Sequence, residues 1–170
     1  MQHPGGVSRT PHPPAVTDRD LPVLLAVYGT LRHGCRNHHV LAGSEHLADG
    51  TVGGLLHEIV VPLRLDYRYP LLVVPPQPSP HDPRAVVEVY RVDEEQVLAR
   101  LDVLEAYDPA DPDGSEYVRT RVPLLARRRT AALGVPGLRE VQVYAYAGPV
   151  AEQGAVLTGG DWCTHKGELG

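Results

Sequence analysis

The sequence predicts a single α+β domain of about six short strands and one helix. Three observations carry this. The chain has 170 residues, the length of one domain rather than two. Gly and Pro, 17 of each, make up a fifth of it, too many breakers for a helical bundle and the right punctuation for short strands joined by turns. Most apolar segments run continuously or alternate over five to eight residues, and only one follows a helical period.

In chain order, Met1 to Asp20 holds four prolines and no apolar stretch like a secretory signal. It is expected to be a flexible tail, with the folded domain spanning 21–170 and the protein cytoplasmic. Val23–Tyr28 is an unbroken apolar run, typical of a strand buried on both faces, and Gly29-Thr30 ends it. A short helix is expected between Cys35 and Ala42. Glu45 to Ile59 reads as one long bent or bulged strand with Gly50, Gly53 and Gly54 inside it. Leu63–Tyr69 alternates loosely, Pro70–Val74 forms a short strand, and Pro75–Pro83 is a loop.

Ala85–Arg91 is a further strand. Asp93 then stands where it can cap a helix, with Gln96 in the position of a capping-box partner. Val97, Leu98, Leu101 and Leu104 give that helix its apolar face, and it should end near Tyr107, before Asp108-Pro109. Asp108–Ser115 is a polar loop. Tyr117–Leu125 alternates, with Arg119 and Arg121 on a face expected to be solvated, and Arg127–Arg129 reads as a basic turn. Glu140–Ala147 is the last strand. With no Phe in the chain, the core must come from Val, Leu and Ala, with Tyr at its edges.

Composition narrows function. A formal net charge of −5 opposes general nucleic-acid binding, and no apolar run approaches the ~18 residues of a membrane span. His33, Cys35, His38, His39, His46 and the Cys163-x-His165 pair are too compact or too isolated to predict a metal site. Neither a Walker pattern, a GxGxxG nor a GxSxG elbow is present. Two segments could carry chemistry. Tyr28-Gly29-Thr30-Leu31 is a glycine turn at a strand end, where Gly29 lets a ligand approach the main chain and successive N–H groups can cradle a carboxylate. Glu105, at i+4 from Leu101, sits beside the apolar face at the helix C-terminus. Burial and the helix dipole would both raise its pKa, as suits a general acid/base near neutral pH. Glu116 is a weaker alternative carboxylate, placed in a polar loop with nothing evident to raise its pKa.

Taken together these segments resemble the γ-glutamylcyclotransferase-like (avirulence-induced-gene-2-like) superfamily. The resemblance rests on Val27-Tyr28-Gly29-Thr30-Leu31-Arg32-x-Gly34 followed by Asn37-His38, then Tyr69-Pro70-Leu71, Val89-Tyr90-Arg91-Val92, Leu101-Asp102-x-x-Glu105-x-Tyr107, Tyr117-x-Arg119-x-x-Val122 and Val143-Tyr144-x-Tyr146, in the family's order over about seven-tenths of the chain. The Tyr-Gly-Thr-Leu form with Asn37 looks most like the γ-glutamylamine cyclotransferase branch; a related branch removes a γ-glutamyl protecting group during aminoglycoside assembly. The resemblance implies a small mixed β-barrel with packed helices. It implies Tyr28, Gly29, Thr30 and Leu31 as substrate-binding residues and Glu105 as the catalytic acid/base. It implies no cofactor or metal and a small γ-glutamyl substrate as the only partner, the chain being a monomer or homodimer. The activity implied is cleavage of a γ-glutamyl amide by its own α-amine, giving 5-oxoproline and a free amine. The alternative is a catalytically silent binding module of the same fold. Two departures stand out: Ala106 replaces the usual glycine after the Glu, and the loop Asp108–Glu116 is longer than in short members.

Overall fold

The computed structural model describes residues 7–61, 64–128 and 138–166. Five strands close a barrel: β1 (Val23–Val27), β2 (Glu45–Gly53), β5 (Arg84–Val92), β6 (Tyr117–Arg128) and β7 (Glu140–Tyr146), in the order β1-β5-β2-β6-β7. Every neighbouring pair is antiparallel except β7 and β1, which meet in parallel at Leu25↔Gln142 and close the ring. A second sheet, absent from the sequence reading, contains β3 (Leu55–Val61), β4 (Arg64–Val73) and the two-residue β8 (Ala155–Val156), with β3 central. Helix α1 (Glu95–Leu104) follows β5, and a five-residue helix α2 (Trp162–Lys166) follows β8.

The expected strand over Glu45–Ile59 is two strands in two sheets, and Gly54 is the reason. Its φ of +153° favours glycine, and a Cβ there would lie 2.8 Å from the Val73 carbonyl oxygen, so the chain can turn from barrel to second sheet only at a residue without a side chain. Conversely, the segments read separately around Tyr69 and Pro70 form one strand, β4. Pro70 is tolerated because β4 is an edge strand, paired with β3 on one side only. Leu63 lies outside the described residues. Arg127 and Arg128 do not turn: they continue β6 opposite Gly50 and Asp49, and Arg129 lies outside the described residues. Between Cys35 and Ala42 the helix is a 3₁₀ turn, His38–Leu41.

Two further expectations change. Within the segment read as a tail, residues 8–16 are packed. Thr10 and Val16 are buried and donate their N–H groups to Gly148 and Arg119, and Ala15 bridges to Thr120. Six of the eight tyrosines lie in the core rather than at its edges. For five of the six, burial is permitted because the hydroxyl finds an acceptor: Tyr28 donates to the Tyr144 carbonyl, Tyr90 to Glu88, Tyr107 to the Val16 carbonyl, Tyr144 to Asp102 and Tyr146 to the Pro149 carbonyl.

Candidate active site

Helix α1 is built differently at its two ends. At the start, Glu94 holds the cap position without a side-chain cap bond, and Asp93 instead pairs with Arg91 at 2.9 Å. Val97, Leu98, Leu101 and Asp102 are the buried face, whereas Leu104, expected in the stripe, is 41% exposed. At the far end Glu105 is the cap residue. The Tyr107 N–H bonds the Asp102 carbonyl at 2.9 Å and the Ala106 N–H bonds the Val103 carbonyl at 3.2 Å. This is the Schellman arrangement, which needs a left-handed residue at the next position. Ala106 takes it, with φ +48°, a left-handed position that glycine would occupy without strain.

A buried ion pair fixes this helix end to the barrel. Asp102 accepts from Arg119 Nε at 3.0 Å and from the Tyr144 hydroxyl at 2.7 Å. Arg119 also donates to Gln142 and to the Asp18 carbonyl. The arginine expected on a solvated face is therefore fully buried (0% exposed), because its strand lines a closed barrel and its charge is answered from inside.

Glu105 faces a cavity of about 220 Å³. Tyr28, Gly29, Thr30 and Leu31 line the same cavity, as do Asn37, Arg36, Tyr69, Pro70, Glu116, Tyr117 and Tyr144. The two segments singled out in the sequence, more than seventy positions apart, thus share one pocket. Burial, and secondarily the Glu116 charge, push the Glu105 carboxyl up to about 7. Among the described residues no side chain or N–H hydrogen-bonds that carboxyl.

The turn opposite is held by side chains the sequence reading left without roles. Asn37 donates its N–H to the Thr30 carbonyl and its side-chain amide to Thr30 Oγ1, both at 2.9 Å. His38 Nδ1 sits 3.0 Å from the Leu31 carbonyl. Arg32, buried, contacts Glu88 at 3.3 Å and Asp161 at 2.7 Å. Among the described residues, the N–H groups of Gly29, Thr30 and Leu31 donate to nothing. Main-chain donors at a buried turn are rarely left so, and these belong to a cavity wall. Gly29 has a reason beyond ligand access: a Cβ there would lie 2.3 Å from Pro70 Cγ. Edge strand β4 thus presses on the turn and closes that side of the pocket.

The remaining walls are aromatic and acidic. Tyr117 is buried, lines the cavity, and has no hydrogen-bond partner for its hydroxyl among the described residues. Burial raises the Tyr28, Tyr117 and Tyr144 hydroxyls well above their ordinary value, so all three remain protonated donors. Glu116, expected to be unperturbed, is raised by partial burial and by nearby Glu152. The long loop accounts for this placement. Ser115 ties it to Asp108 and Asp111, and the Glu116 N–H returns to the Ala106 carbonyl. Arg36, stacked over the Tyr67 ring at 4.5 Å, lines the same cavity. Among the described residues no three His, Cys, Asp or Glu side chains gather as a metal set, and no helix is long and apolar enough to cross a membrane.

Residues 25–164 match the profile of the family described as gamma-glutamyl cyclotransferase, AIG2-like. The chain belongs to that family. Within it, the Drosophila melanogaster protein named "Putative gamma-glutamylcyclotransferase CG2811" is 40% identical over 83 residues, 48% of this chain and 50% of that one. The match thus spans about half the length of this curated relative. A Mus musculus AIG2-like protein of known structure is 26% identical, with TM-score 0.50 over 78% of this chain and 82% of its own. The fold recurs at 21% identity in the uncharacterized protein PH0828 of Pyrococcus horikoshii, TM-score 0.54 over 86% and 94% of the two chains. It recurs again as a small part, 8%, of Kluyveromyces lactis urea amidolyase at 16% identity, TM-score 0.59 over 87% of this chain. The mixed barrel that the resemblance implied is the fold of this member of the family.

Proposed function

We propose that this chain is a γ-glutamyl cyclotransferase with Glu105 as its acid/base and the Gly29–Leu31 turn as its substrate cradle. The observation that carries the reading is the pairing across one cavity of an unpartnered carboxyl raised to about 7 with a turn whose N–H groups have no acceptor. The α-carboxylate of a γ-glutamyl substrate supplies that acceptor, with Arg36 on the cavity wall adding a favourable charge. Ionised Glu105 takes a proton from the substrate's α-ammonium. The freed nitrogen attacks the γ-carbonyl carbon, forming the new C–N bond of the five-membered ring. The bond to the departing nitrogen then breaks as Glu105 returns its proton to that nitrogen, and the ring nitrogen gives up its second proton, through Glu105, to the departing amine, leaving 5-oxoproline and an ammonium. No protein nucleophile is needed, because the attacking group is tethered and effective molarities in such reactions reach about 10⁵–10⁸ M. The protonated Tyr117 hydroxyl is a donor for the charge developing on the γ-oxygen.

Glu116 on the cavity wall, with Glu152 close enough to perturb it, supports a cationic leaving amine. Both a γ-glutamylamine and a γ-glutamyl-protected polyamine such as an aminoglycoside intermediate fit that description. The test is incubation with a panel of γ-glutamyl amines and γ-glutamyl amino acids, scoring 5-oxoproline. Activity greatest on cationic amines and reduced more than about 10²-fold in Glu105→Gln supports the proposal. Activity unchanged in Glu105→Gln refutes it. Binding of γ-glutamyl compounds without any 5-oxoproline indicates a silent binding module instead.

A further inference from the structure

The loop that carries the cradle is held from outside by the last described segment of the chain. Asp161 pairs with Arg32, the Val86 N–H bonds the Gly160 carbonyl, and Trp162 is wholly buried. Gly160 is indispensable there, since its φ is +64° and a Cβ would collide with the Arg84 carbonyl. In this seam the only two cysteines of the chain meet. Cys35 Sγ, in the loop after β1, lies 2.7 Å from Cys163 Sγ, in α2, across 128 positions of sequence. The two are not joined by a disulfide, and both are buried. Cys163 Sγ is also 3.9 Å from the Gly29 carbonyl oxygen, so the pair touches the cradle itself. Neither thiol has a part in the proposed cyclisation.

We propose that Cys35 and Cys163 form a reversible disulfide that ties the cradle loop to α2. The bond requires the sulfurs to close to about 2.05 Å, a small movement for two side chains already facing each other. The oxidant is a low-molecular-weight disulfide. Cys35 retains slight exposure, 6% against 0% for Cys163, and is the thiol such a reagent reaches first. As the thiolate it attacks one sulfur of the reagent, forming a mixed disulfide and expelling one thiolate. Cys163 then attacks the Cys35 sulfur, forming the internal bond and expelling the second. Each expelled thiolate takes up a proton that a cysteine gave up, so one reagent disulfide is reduced to two thiols as the protein's two thiols are oxidised. Burial pushes the Cys163 thiol up, while the Arg32 guanidinium beside it pulls the other way. Oxidation closes the loop covalently, and cradle opening becomes rarer.

The test treats the full chain with hydroxyethyl disulfide, which carries no γ-glutamyl group, and then with dithiothreitol. The expected result is a mass loss of two hydrogens, a Cys35–Cys163 linked peptide, and slower amide hydrogen exchange over residues 29–37. Dithiothreitol should reverse all three. Cys35→Ser and Cys163→Ala, checked for folding by circular dichroism, should show no such link and no change in exchange. A wild-type chain that stays reduced, carries only reagent adducts, or cross-links between copies overturns the proposal. A correct link with unchanged exchange over 29–37 overturns its effect on the cradle.

Discussion

Glu105→Gln should abolish turnover and at the same time stabilise the fold, in a pH-dependent way. Burial raises the folded-state carboxyl from 4.5 to about 7. Below about pH 4.5 both folded and unfolded chains carry the proton, and Glu105 adds no pH-dependent penalty. As the pH rises, the unfolded chain ionises first, so stability falls until the folded carboxyl also ionises near 7. At about 1.36 kcal/mol per pH unit, the full interval amounts to an upper value of roughly 3 kcal/mol. Glutamine has nearly the same shape and no charge to desolvate. Urea denaturation of both proteins should therefore show Glu105→Gln gaining on wild type by up to about 3 kcal/mol between about pH 4.5 and pH 8, with most of the gain in place by about pH 7. The kcat/KM of the wild type should rise with an acid limb near 7 over the same range. A stability difference that stays flat with pH would show a solvated carboxyl and refute the desolvated acid/base.

Asp102→Ala leaves Arg119 buried and stripped of its carboxylate, so urea unfolding should report a loss of about 3–5 kcal/mol. Replacing both, as Asp102→Leu with Arg119→Met, should recover much of it, because no uncompensated charge remains. Ala106→Gly relieves a left-handed alanine costing about 1–2 kcal/mol, against about 0.4–1 kcal/mol of added unfolded-chain entropy. It should raise the urea midpoint modestly and leave 5-oxoproline release intact. Gly29→Ala drives a Cβ into Pro70 Cγ and should cost about 1–3 kcal/mol and raise KM. Pro70→Ala in the same chain removes that atom and should restore most of both.

How the sequence encodes this protein is clearest at particular residues. Val23–Val27, β7 and the apolar face of α1 were legible because local periodicity reports burial directly. Glu105 and the turn around Gly29 were legible through the family motifs, since a carboxylate at i+4 from a core leucine fits an ordinary, partly exposed helix end as well. The Ala106 turn was flagged only as a departure, and its left-handed geometry emerged from the hydrogen bonds at the helix end. Arg119 was misread because strand alternation gives the face of a residue but not whether that face meets solvent. Glu116 was undervalued because its perturbation comes from partial burial and then from Glu152, neither of which a local pattern reveals.

The amino-acid order thus determined where β1, β5, β7 and α1 lie, that a glycine turn ends β1, and that a carboxylate stands beside the apolar face at the helix end. These are properties of φ/ψ preference and side-chain periodicity, which act over a few residues. Tertiary structure alone decided that Glu105 and the Gly29 turn share a cavity, that Pro70 closes it and that Asp102 and Arg119 anchor it. It also decided that Cys35 meets Cys163. Each of these depends on barrel closure between β7 and β1, and on how the second sheet and α2 pack against the barrel. Contacts of that kind join residues with no neighbourhood in sequence.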